Sequence, residues 1–242
     1  MSRVEDPQPS GVDESGSGSP TLSAERLKAF VDAVVAIAMT LLILPLMENV
    51  IELGRQEKGV AEYLSEDGMQ LFSFALSFLL IASFWITHHR IFDKVERTSS
   101  ALVWIQVAWM FTIVWLPVPT AMLGAMETST VQKLLYIGSL LVTSLLLLVT
   151  RLHLRAHPQL HAIPASALRR GIAVEIVLCG LYAVALLVAV LVPAIGYFAM
   201  FLMVLSGPAQ AMLDRRERAR RRRAAAGRTS AAAAARDDAG EE

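Results

Sequence analysis

The chain reads as an all-α membrane protein with six transmembrane helices and both termini cytoplasmic. Three observations predict this class. Of the 242 residues, 55% are hydrophobic, above the 45–50% or so of an average soluble domain. The excess is gathered in windows long enough to span a bilayer, which takes about 20 mostly apolar residues. And 19 of the 22 lysines and arginines fall on one side of the arrangement those windows dictate.

Residues 1–22 (MSRVEDPQPSGVDESGSGSPTL) are rich in Ser, Gly, Pro and acids. They have no basic start, apolar centre or small-residue cleavage pattern, so they read as a disordered tail and not a signal peptide. Residues 23–213 form the membrane domain. Its expected spans are 24–46, 69–92, 99–123, 131–152, 170–191 and 194–213. The last two are separated by "VPAIG", where Pro193 and Gly196 permit a tight turn. The end of the second span is the least sharply defined, because "SFWITHHRIF" turns polar before the helix should stop. Residues 214–242 form a basic and then acidic tail, "RRERARRRR" followed by alanines and "RDDAGEE".

Lysine and arginine in short loops set orientation. The amino-terminal region, the second and fourth loops and the carboxy-terminal tail carry 19 of them, and the opposite side only Arg55, Lys58 and Lys133. Both termini are therefore expected in the cytoplasm, a parity that six spans satisfy. The arginine run after the last span reads as a topogenic anchor against anionic headgroups. It lacks the aromatic interleaving and folded reader that nucleic-acid binding would require.

Ionisable groups inside spans are expensive and mark functional sites by default. Asp32 lies two turns into the first span, His88 and His89 near the end of the second beside Trp85, and Glu175 about one turn into the fifth. Their common depth suggests one polar layer, with Asp32 paired to Arg26 or a histidine, and Glu175 to Arg169 or Arg170. Glu175 reads as a structural partner. For Asp32 and the histidine pair, helix locking and a proton-sensitive gate are both open.

Adjacent histidines point about 100° apart on a helix, so His88 and His89 do not suit one metal. His153, His157 and His161 fall in a proline-interrupted loop and read as solvated. Cys179 is the sole cysteine and reads as an inert membrane thiol. No nucleophile elbow, phosphate loop or dinucleotide fingerprint is present, so no enzyme, cofactor or metal site is expected. In the first span Ile37, Leu41 and Leu44 form a stripe at i, i+4, i+7, with Thr40 at its margin. Spacing alone does not distinguish such a stripe from packing or lipid-facing surface.

The residues from Arg26 to Asp32, with Phe30 before Val31, closely resemble the RxxxFSD signature of the endosomal and lysosomal transmembrane potassium channels and their bacterial homologues. "FWITHHRIF" in span two is similar to that family's FWxxHH stretch, and "WLPVPTAML" to its Leu-Pro-x-Pro-Thr stretch. The resemblance covers the membrane region and leaves out the tails. Val31 departs from it, standing where the family has serine. A single six-span unit is the bacterial arrangement.

The resemblance implies a homotetramer in a bacterial plasma membrane, with a central pore lined by the first helix of each chain. Carried over by motif position, Ile37 would form the narrowest constriction, Leu41 and Leu44 would lie above it, and Thr40 would be the polar lining residue. Arg26, Phe30 and Asp32 would pack against Trp85, His88 and His89 as a signature network. The implied activity is leak-like potassium permeation without a carbonyl filter, and the chain has no TVGYG segment. The alternatives are a secondary transporter, for which Pro117 and Pro119 lie too peripherally, and a non-transporting membrane scaffold.

Overall fold

The structure, a computed structural model, describes residues 23–57, 59–66, 68–126 and 129–191. Among them, five helical segments are long and apolar enough to cross a membrane. The expected sixth span, 194–213, and both tails lie outside the described residues.

The first segment runs farther than its apolar window suggested, as α1 (Ala24–Leu41) and α2 (Leu44–Arg55). Ser23 caps α1, its side chain accepting from the Arg26 amide. The break at Leu42–Ile43 has a local cause in Pro45, which has no N–H to give the preceding turn and whose ring crowds the Leu41 carbonyl. After the short α3 (Val60–Glu66), α4 (Gly68–Phe92) stays helical through the polar "THHRIF" end. The third span is also two helices, α5 (Ser100–Trp115) and α6 (Pro117–Ala125), with Pro117 in the first turn of α6. Then come α7 (Thr130–Ala156), opened by a Ser129–Gln132 capping box, and α8 (Ala165–Leu191).

Successive spans run antiparallel. The Ser23 end of the bundle therefore gathers the starts of α1, α5 and α8 and the ends of α4 and α7. Two loops zip together there. Val95 and His161 form an isolated antiparallel bridge, and Glu96 N donates to Leu160 O at 3.0 Å and Ala162 N to Lys94 O at 2.9 Å. His153 at the end of α7 and His157 and His161 in the loop after it are half-buried and bonded rather than solvated as expected. His153 Nε2 lies 3.1 Å from Ser99 Oγ, His157 Nδ1 donates to His153 O, and His161 Nε2 donates to Leu154 O.

α7 is central, packed against α5 and α8, while α4 packs against α6 and α1 against α4 and α5. Trp109, Tyr136, Tyr182, Phe92, Leu27 and Ile81 are among the fully buried side chains. Hydroxyls join the helices where lipid offers no competing water. Ser77 Oγ (α4) lies 2.8 Å from Thr120 Oγ1 (α6) and 3.0 Å from the Tyr136 hydroxyl (α7).

Candidate functional site

The first span carries two faces of opposite character. Ala24, Leu27, Val31, Val35, Ala38 and Leu42 alternate at three and four residues and are buried in the subunit's own core. On the other side Phe30, Ile37, Leu41 and Leu44 are 58%, 59%, 37% and 51% exposed. Thr40 is exposed too, and its hydroxyl donates to Ile37 O at 2.7 Å. Val31 sits on the buried face, fully enclosed, so its methyls pack where a serine hydroxyl would need a partner.

Asp32 turns back toward the bundle. Its Oδ1 accepts from Trp85 Nε1 at 2.7 Å, a charge-assisted bond joining α1 to α4. Of the partners expected, Trp85 from the signature network takes this place, and Arg26 and the histidines do not. Arg26 is exposed on the same side of α1 as Phe30. His89 is exposed and lies against Trp85, with ring centroids 5.6 Å apart.

His88 points the other way and is buried. It stacks between Phe92 and Trp109, with centroids 4.3 Å and 4.6 Å away. The donor count fixes its tautomer. Thr150 Oγ1 donates to Leu146 O, so it accepts from Gln106 Nε2 at 3.1 Å. The Gln106 carbonyl therefore faces His88 and accepts from its Nε2–H at 2.8 Å. The proton sits on Nε2, and Nδ1 has no partner among the described residues.

A third set joins α7 to α8. Arg151 Nε lies 3.5 Å from Glu175 Oε1, an ion pair with side chains 16% and 2% exposed. At that distance it is a Coulombic contact rather than a tight hydrogen bond. The Cys179 thiol lies 3.4 Å from Ser144 Oγ one turn away. The expected partners Arg169 and Arg170 are displaced by Arg151. The expected span 131–152 already reaches Arg151, and α7 continues to Ala156, which sets Arg151 more than a turn inside the helix. Gly171 makes room for it, because the Arg151 guanidinium occupies the place a Cβ would take.

Gln106, Thr150 and Arg151 were not singled out by the sequence. The available signal was a lone amide in the apolar run "ALVWIQVAWMF" and the pair "TR" closing another. No group of three or more His, Cys, Asp or Glu among the described residues is arranged to hold a metal.

The Asp32–Trp85 bond carries a stability prediction. Asp32→Ala and Trp85→Phe should each lower the thermal midpoint in detergent. Removing a hydrogen bond to a charged group typically costs about 1.5–3 kcal/mol. The double variant should lose little more than either single one; additive losses would show that the two side chains act independently.

These features define a multi-pass α-helical membrane protein with ionisable groups bonded inside its helices and an apolar face of its first span left uncovered. Comparison with known proteins narrows the class. Residues 26–117 match the sequence profile of the family described as the endosomal/lysosomal potassium channel TMEM175. A potassium channel of Streptomyces collinus is 34% identical over 99 residues, covering 41% of this chain and 47% of that one. The endosomal/lysosomal proton channel TMEM175 of Danio rerio is 27% identical over 140 residues, covering 58% of this chain and 26% of that one. The chain thus spans about half the length of the bacterial relative and about a quarter of the vertebrate one. The crystal structure of a lysosomal potassium-selective channel TMEM175 homolog from Chamaesiphon minutus superposes with a TM-score of 0.57 at 25% identity. The match covers 78% of this chain and 95% of that one. Over residues 26–117 the chain is similar to the TMEM175 ion channels, a family of channels and not a class of enzymes, and it shares the fold of a solved member.

Proposed function

We propose that the chain is one subunit of a homotetrameric, potassium-permeable, leak-like cation channel in a bacterial plasma membrane. Each subunit crosses six times with both termini in the cytoplasm, and the exposed face of α1 lines a central pore. The observation that carries this reading is that face itself. Ile37, Leu41 and Leu44 are turned away from the subunit's own core, although one helix cannot enclose a pore. Cyclic assembly places four copies of the stripe on one axis.

Ile37 then forms the narrowest ring, with Leu41 and Leu44 outside it and Thr40 supplying a hydroxyl beside it. Such a ring blocks ions by dewetting when narrow and passes partly hydrated cations when wider, so no carbonyl filter is required. Asp32, through Trp85, holds the rotation of α1 that keeps the stripe on the axis. Arg26, Phe30 and His89 complete the cytoplasmic mouth, and His88 anchors α4 against α5 and α7.

The names of the relatives support the ion class: potassium for the Streptomyces collinus protein and protons for the Danio rerio protein. The test is flux from liposomes containing the purified chain, with potassium, sodium and a bulky organic cation compared and a proton gradient followed in parallel. Potassium efflux well above the organic cation is expected. Absence of potassium flux from a folded, reconstituted chain overturns the reading. Saturating, counter-ion-dependent flux would replace it with a transporter.

A further inference from the structure

The outward face of α1 does not end at Leu44. Leu42 and Ile43 keep right-handed helical backbone angles, φ −61°, ψ −25° and φ −76°, ψ −22°. The screw of α1 is therefore carried into α2. At about 100° per residue, Ile37, Leu41 and Leu44 share one narrow sector, and the next position in that sector is Glu48.

The rotation of α2 is fixed independently of that arithmetic. Leu46 is buried and the Asn49 amide donates to Gln70 of α4, so these two residues mark the side of α2 that faces its own subunit. Glu48 is turned away from both and is exposed. The nearest cation along the helix is engaged elsewhere. Arg55 pairs with Glu52 at 3.5 Å, and Glu52 also accepts from Gln56. No ion pair among the described residues involves Glu48.

Resting on the channel reading above, we infer that Glu48 from each subunit forms a carboxylate ring at the mouth of the pore opposite Arg26. It stands eleven residues, roughly 16 Å along the axis, beyond Ile37. There the ring concentrates permeant cations and sets the rate at which they enter from that side. Fixed charges of one sign at the entrance of a low-dielectric passage raise the local concentration of the opposite sign, and salt suppresses the effect.

The test is single-channel recording of the full chain in planar bilayers. Potassium currents entering from the Glu48 side are measured in about 10 mM and about 1 M salt, where screening lengths are about 30 Å and 3 Å. In low salt Glu48→Gln is expected to lower the unitary current about threefold and Glu48→Lys further, a steering effect of ordinary size. In high salt both should approach wild type. Glu57→Gln, another exposed acid but off the stripe, should leave the current unchanged in both. Wild-type current in Glu48→Gln at low salt overturns the ring while leaving the channel reading intact. A wild-type chain that passes no current overturns the channel reading itself.

Discussion

Replacing Ile37 with asparagine is expected to raise potassium conductance and reduce discrimination against sodium in planar-bilayer recordings. The expectation follows from what stands on the exposed face of α1. Ile37 is the most exposed member of its stripe at 59%, and in the tetramer proposed above four such side chains would meet on the axis and leave a dry gap. A polar amide at each position supplies donors and acceptors to water, so the wetted state no longer depends on widening the ring. A barrier lowered by about 1.4 kcal/mol gives a tenfold rate, and a change of that order is the expected size. Asn is shorter by little, so an increase reports wetting more than width. Val34, partly buried three residues earlier, is the control, and Val34→Asn should damage folding rather than open the pore. Unchanged currents in Ile37→Asn would remove this residue from the conduction path.

The residues differ in how openly their sequence declares them. The five described spans are legible because sustained apolar windows of that length have one use, and Pro45 and Pro117 announce the two breaks by their chemistry. The opposed faces of α1 follow from helical period. Which face would be uncovered does not, since both are apolar; tertiary packing of Val31, Val35 and Ala38 decides it.

The partner of Glu175 differs from the expected one for a physical reason. Apolar windows fix the length of a span only roughly, whereas helices end where the backbone is stopped. α7 runs on through Arg151 to the stop before Pro158, and α8 begins at Ala165, ahead of its apolar run. Nearness in sequence points Glu175 to Arg169 or Arg170, whereas the packing of α7 on α8 brings Arg151 to it. Asp32 meets Trp85, as the resemblance implies, and not the cation that matching charge to charge suggests. An indole N–H satisfies a carboxylate without burying a second ion, and Trp85 supplies it.

The Arg151–Glu175 pair leads to the largest expected stability effect. Glu175 is 1% exposed, and Arg151 is its only ion-pair partner among the described residues. Arg151→Met removes the cation and leaves the carboxylate in a helix interface with Ser144 as its remaining polar neighbour. Breaking a buried pair from one side typically costs about 3–5 kcal/mol, because the survivor's charge is uncompensated. The double replacement Arg151→Met with Glu175→Leu should recover most of that loss, since apolar side chains of similar volume satisfy the same space without an ion to desolvate. α8 depends on this interface, as its main packing partner is α7. The thermal midpoint in detergent should therefore fall sharply in the single variant and return toward wild type in the double. Gly171→Ala provides the geometric counterpart. A methyl placed where the guanidinium now lies requires Arg151 to shift, and any fall in the midpoint then measures how far that shift weakens its contact with Glu175 while both charges are present. An unchanged midpoint in Arg151→Met would show that Glu175 is held by other groups and that the pair does not fasten α8 to the bundle.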